Sequence, residues 1–234
     1  MDDFLHMMQN APRKLAVTGH FGSGKTEFSV SLAFRLAEAG VKPLALIDID
    51  IENPYFRSRE QGDAMRAAGI RVYSDAYGGK SATELQTLDP AIRAPLEDES
   101  CRVICDLGGD ASGAMILNQY SGYFRSDALL LFVLNRSRPG TDSMEKALAQ
   151  LNSIEAVTGL KLGGIISNTH LLRLTTPDDV REGWRFALAL AEKSGIPALC
   201  ACCMESLLPQ LADDNIPLFP IGLYMRPAYL DREV

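Results

Sequence analysis

The run Gly19-His20-Phe21-Gly22-Ser23-Gly24-Lys25-Thr26 constrains this chain more than any other stretch, because it fits the spacing G-x-x-x-x-G-K-[ST] in the right setting. Lys14-Leu15-Ala16-Val17-Thr18 before it reads as a short strand. From Glu27 onward, Phe28, Leu32 and Leu36 recur at helical spacing, and Gly40 and Pro43 supply the stop. A strand, a glycine-rich turn and a helix gather backbone N–H groups and the positive helix end around one point, which is an anion site suited to a polyphosphate. In that reading the glycines let the backbone wrap closely, Lys25 reaches the β- and γ-phosphates, and the Thr26 hydroxyl holds Mg²⁺. His20, Phe21, Ser23 and Glu27 complete the set of loop residues expected to line the nucleotide.

Elsewhere, apolar runs end in acid or glycine. Pro43 to Asp48, Val103 to Asp106, Leu129 to Leu134, Leu162 to Ile166 and Ala198 to Met204 are continuous rather than alternating, which suits parallel strands covered on both faces. Helical stretches separate them. Asp142 to Val157 carries Met144, Leu148, Leu151 and Ile154, and a second helix runs from the cap Thr176-Pro177 to near Gly195. The alternation predicts a doubly wound α/β sheet, mostly parallel, with helices on both faces. Residues 1–13 read as a loose polar arm or a short helix, and Asn53 to Ser100 as an irregular region over one edge. The whole of 1–234 reads as a single domain.

In open sheets of this kind, ligands bind beyond the carboxyl ends of the strands. The phosphate loop, Asp48 and Asp106 all fall there. Asp106 precedes Leu107-Gly108-Gly109, so it is expected in the outer Mg²⁺ shell, with the glycines sensing the γ-phosphate. Asp48 and Asp50 form a D-x-D pair, and Asp48 is expected to accept a hydrogen bond from the attacking water while also standing near Mg²⁺. Asp110 lies close without a role of its own.

A phosphate loop after the first strand, an aspartate ending the second and D-x-G-G after a third resemble the MinD/ParA and CobQ/CobB group of P-loop NTPases (SIMIBI class). The resemblance implies ATP and Mg²⁺ as ligands, slow ATP hydrolysis, a homodimer closed by ATP, and a protein partner read by nucleotide state. It assigns water activation to Asp48, Mg²⁺ support to Asp106 and contact with the base to Asn168, in Ile165-Ile166-Ser167-Asn168-Thr169-His170. Neither Asn135 nor Asn168 is followed by Lys-x-Asp, the usual guanine-reading pattern, so ATP is favoured over GTP. Where MinD/ParA members usually carry a second lysine, His20 stands, which speaks against an obligate ATP-sandwich dimer. Relatives like CobB and dethiobiotin synthase imply a competing reading, a ligase or kinase acting on a small molecule.

Composition narrows the partners. A formal net charge of −7 disfavours non-specific nucleic-acid binding, which needs lysine and arginine to neutralise phosphates. The longest apolar run is strand length, against the roughly 20 residues of a membrane span, and 226–234 is too short and mixed in charge for a membrane-finding helix. No membrane partner is therefore expected. The acidic start Met1-Asp2-Asp3 and five cysteines, an odd number, predict reduced thiols and a cytoplasmic location. Cys200, Cys202 and Cys203 could serve a metal-insertion ATPase, but their strand-like setting after Pro197 favours core packing. The three histidines, His6, His20 and His170, show no zinc spacing. Gly22-x-Gly24 lacks the third glycine of a dinucleotide fingerprint, since Glu27 holds that place. Gly79-Lys80-Ser81 reads as a surface turn, Trp184, Phe186 and Leu190 as core, and Asn53 to Arg59 as an unassigned stretch suited to an acidic partner or substrate.

Overall fold

The computed structural model describes residues 2–48, 59–74, 90–108 and 121–225. The helices are α1 (Asp2–Asn10), α2 (Lys25–Glu38), α3 (Arg59–Ala67), α4 (Arg93–Glu97), α5 (Ser121–Phe124), α6 (Met144–Thr158), α7 (Pro177–Ser194) and α8 (Leu208–Leu211). The strands are β1 (Lys14–Thr18), β2 (Leu44–Asp48), β3 (Ile70–Ser74), β4 (Arg102–Asp106), β5 (Ala128–Leu134), β6 (Leu162–Ser167), β7 (Ala198–Met204) and β8 (Leu218–Ile221). They form one sheet in the order β3-β2-β4-β1-β5-β6-β7-β8, and every pairing in it is parallel.

Both faces of this sheet are covered, which explains why its central strands read as continuous apolar runs. Side chains alternate across a strand, so Ala16, Ile47 and Cys105 join one core with Leu151 and Ile154 of α6 and Ala187 and Leu190 of α7. Leu15, Val17, Leu46 and Ile104 face the other way, onto Phe28, Leu32 and Leu36 of α2. Trp184 and Phe186 pack against the first core while remaining partly exposed. The hydroxyl cap foreseen for α7 is present, the Thr176 Oγ1 accepting from Asp179 N, and the Asp179 carboxylate completes it by accepting from Thr176 N.

Of the two readings of residues 1–13, the chain takes the helix. Phe4 and Met8 of α1 are buried, and Phe4 meets Phe28 and Phe219 with ring centroids 6.3 and 5.2 Å apart. The Arg102 guanidinium donates to the carbonyls of Met8, Gln9 and Ala11 at 2.8 to 3.0 Å, satisfying acceptors that a helix end leaves open.

Two strands were not foreseen. β3 lies inside the region read as irregular, and among the described residues it is an edge strand, paired only with β2. Its sequence Ile70-Arg71-Val72-Tyr73-Ser74 alternates instead of running apolar, because an edge strand is only partly covered. β8 contains Pro220, which a central strand would reject; at the opposite edge, where β8 pairs only with β7 among the described residues, the missing N–H is tolerated.

Candidate functional site

Parallel register brings the expected residues together at one end of the sheet. Asp48 and Asp106 are direct partners on β2 and β4, and Asp106 is also opposite Val17, two residues before the loop begins. Both carboxylates are buried, at 8 % and 1 % exposure. Alternation puts them on the face covered by α2, and Ser29 Oγ of that helix stands 3.5 Å from Asp106 Oδ1. From the neighbouring strands emerge Asn135, just after β5, and Asn168, just after β6, with Leu134 and Ser167 in register.

The helix at the centre of the site is left open. Ser143 caps α6 and Thr176 caps α7, but α2 has Gly24 at its N-cap and no side-chain cap. Its first N–H groups are therefore without the usual hydroxyl or carboxylate acceptor, the arrangement that receives phosphate. Gly24 has φ +86°, and a Cβ there would overlap the Asn168 amide, so glycine is required twice over. Lys25 is only 5 % exposed. A buried ammonium is costly unless an anion stands beside it, and a bound phosphate would supply one. Ser23 is fully buried, and its Oγ has no hydrogen-bond partner among the described residues.

Behind the loop, side chains hold its carbonyls. Asn168 Nδ2 donates to Ser23 O at 2.8 Å, and Arg138 Nε donates to Gly22 O at 2.9 Å. Asn135, fully buried, lies 3.5 Å from both Gly22 O and His170 O through Nδ2, while its Oδ1 accepts from Ser137 N at 2.9 Å. These contacts take the carbonyls from behind, while Ser23 N donates to His20 O at 3.0 Å within the loop. Asn168, expected at the base, thus braces the loop. Asn135 and Arg138 were not singled out as site residues; only the position of Asn135, at the end of an apolar strand, could have signalled it. The His20 ring lies against Gly140, with Nδ1 2.9 Å from Phe21 O, and Phe21 is 69 % exposed.

Glu27, in the first turn of α2, takes Tyr224 N and Met225 N at 2.7 and 2.8 Å, tying the segment after β8 to the phosphate-loop helix. Burial pushes its carboxyl up to about 7, opposed by those two N–H groups and aided by the charge of Asp106. Thr26 is half-buried in the same turn. These residues fit Mg²⁺: a hydroxyl at a helix start and carboxylates on neighbouring strands suit an ion that keeps waters and shares phosphate oxygens. Among the described residues, no three His, Cys, Asp or Glu side chains gather into a protein-only metal centre.

The late cysteines are core. Cys200, Cys202 and Cys203 are at most 3 % exposed, and burial pushes the Cys203 thiol up to about 12 and raises Cys200 as well. A thiol reagent should therefore leave all five cysteines of the folded protein unmodified over minutes and react with five after denaturation. Rapid native labelling at Cys200, Cys202 or Cys203 would restore the metal-handling reading.

His170 is held neutral. Burial, with the Arg138 guanidinium adding to it, lowers its pKa from 6.5 to about 4. The unfolded chain takes up that proton first, so this group's contribution to stability is complete above pH 6.5 and is lost as pH falls toward 4. The loss is on the order of 2–3 kcal/mol. Denaturant titrations between pH 7 and 4.5 should show it, and His170→Asn should flatten the profile in that window.

Asp50, Asp110, Gly109, residues 53–58, the turn Gly79-Lys80-Ser81 and the end 226–234 lie outside the described residues. No described helix is long and apolar enough to cross a membrane. No family model and no curated protein matches the chain. Solved structures do. The signal recognition particle receptor FtsY from Elizabethkingia anophelis aligns with TM-score 0.53 at 19 % identity over 86 % of this chain. FtsY from Thermotoga maritima aligns with TM-score 0.55 at 21 % over 83 %. The 54 kDa signal recognition particle protein from Aeropyrum pernix, in complex with GDP, aligns with TM-score 0.52 at 23 % over 82 %. The chain spans 63 %, 62 % and 41 % of those chains' own lengths, respectively. At such identities the likeness concerns architecture: this chain has the parallel α/β fold of P-loop NTPases, as those signal recognition particle proteins do.

Proposed function

We propose that this chain is a Mg²⁺-dependent ATPase of the MinD/ParA-like type, a switch whose shape or partner depends on the nucleotide it holds. The observation that carries the proposal is the start of α2, which has glycine at its N-cap and no side-chain cap, with the buried Lys25 as its first residue. The loop from Gly19 to Thr26 holds the phosphates through backbone N–H groups, and Lys25 gathers charge on the β- and γ-phosphates. Thr26 and Asp106, with Asp48 beside it, hold Mg²⁺, which when bound neutralises charge on the phosphates. Asp48 orients water by accepting its hydrogen bond. Hydrolysis forms a bond from that water oxygen to the γ-phosphorus and breaks the bond to the bridging oxygen, which leaves with ADP.

Asn168 positions the loop and the base side of the site together. Thr169 and His170 follow it where a guanine reader carries Lys-x-Asp, so the nucleotide is ATP. The same reading has 1–234 acting as one unit in the cytoplasm, with a homodimer or another protein reading its state. A small molecule raising turnover by orders of magnitude would turn the assignment to a ligase or kinase. Calorimetry with Mg·ATP and Mg·GTP tests the core of it: ATP should bind at least about tenfold tighter, a difference of about 1.4 kcal/mol. Absence of uptake of either nucleotide would overturn the proposal.

A further inference from the structure

The phosphate loop borders a second feature. Beyond Gly24, an apolar cleft runs between the segment after β6 and the ends of β7 and β8, walled by Leu172, Met204 and Leu223, with His170 on its lining. A second, open depression lined by Ser206 shares Met204, Ile221 and Leu223 with it. One polar atom in this wall is unexplained. His170 Nε2 is buried and has no hydrogen-bond partner among the described residues. Its place is close to the loop, 3.2 Å from where a Cβ on Gly24 would stand.

The proton on this ring can be assigned. Nδ1 faces the N–H of Leu172 at 3.3 Å and so acts as acceptor, which leaves the hydrogen on Nε2. The ring stays neutral across physiological pH, so it presents one fixed N–H at every such pH. A buried donor left unmade costs more than a hydrogen bond contributes when made, and native structures rarely tolerate one without a use. A purely apolar occupant would leave it unmade. A planar heteroaromatic ring with an in-plane nitrogen acceptor satisfies both the walls and the donor, and the Met204 thioether suits an aromatic face.

We infer that this cleft is the nucleobase pocket and that His170 Nε2–H donates to a ring nitrogen of the purine held there. The inference rests on the proposed nucleotide site, because Gly24 belongs to both the loop and the cleft wall, so one ligand reaches both. His170 is then a specificity-determining residue, distinct from Asn168, whose amide is spent on the loop.

The test compares ATP, 7-deaza-ATP, 1-deaza-ATP and inorganic triphosphate, each with Mg²⁺, on wild type, His170→Ala, His170→Gln and Lys25→Ala. Wild type should bind one deaza analogue about 5–10-fold more weakly than ATP, as loss of one neutral hydrogen bond predicts. In His170→Ala that gap should close, ATP falling to the level of the analogue while inorganic triphosphate is unchanged. His170→Gln, which keeps an N–H donor, should recover part of the gap. If ATP binds in a Lys25-dependent way and no gap exists, or the gap survives in His170→Ala, the pocket assignment is overturned and the nucleotide site stands. If wild type binds neither ATP nor triphosphate, both are overturned.

Discussion

Lys25→Ala should bind Mg·ATP at least 100-fold more weakly than wild type, with hydrolysis falling below detection. The reason is local. Phosphate oxygens would meet two attractions in this loop, the N–H groups at the open start of α2 and one ammonium that is 5 % exposed. In so dry a site a charge is worth far more than at the surface, and hydrogen bonds to charged groups contribute about 1.5–3 kcal/mol each. Removing the ammonium also removes its own burial penalty, so the folded protein should be no less stable, and a thermal melt without nucleotide should be unchanged or raised. Calorimetry and melting on the same sample separate the two effects. Retention of ATP binding within fivefold would remove Lys25 from the site.

Asp48→Asn should do the opposite, leaving ATP binding within a few-fold and slowing single-turnover phosphate release by about 100-fold or more. An asparagine keeps the shape but offers one acceptor oxygen and an N–H₂ where a carboxylate offered two oxygens, so water is poorly oriented and poorly activated. Asp106, the register partner of Asp48, is untouched by the substitution and would keep the proposed Mg²⁺ side of the site. The comparison with Asp106→Asn sharpens the assignment, since that variant should weaken Mg²⁺ dependence before it slows the chemical step. Equal loss from both variants in binding alone would take the water-orienting role away from Asp48.

Much of this was legible because the site sits on the most regular part of the fold. Gly19 to Thr26, Asp48 and Asp106 end strands that are covered on both faces, so apolar runs announced them and the terminal acids stood out. β3 and β8 escaped because edges relax that pattern: Arg71 is exposed on one, and Pro220 is tolerated on the other. Asn135, Arg138 and His170 escaped for another reason. Their contacts run across loops, Arg138 reaching Gly22 across 116 positions of chain and Asn135 approaching it across 113. No local pattern encodes such a contact; only the folded sheet brings those segments side by side. The late cysteines show the reverse, a metal-like spacing that packing turns into ordinary core.

The grip of Asn168 and Arg138 on the back of the glycine turn has a thermodynamic corollary. A strand-to-helix bend with three glycines would ordinarily surrender much freedom when it closes on a ligand. Here Gly22 and Ser23 are already tethered, so that entropy is lost during folding and not at the encounter. The cradle is preorganised, so more of each contact it would make with a triphosphate would count as affinity.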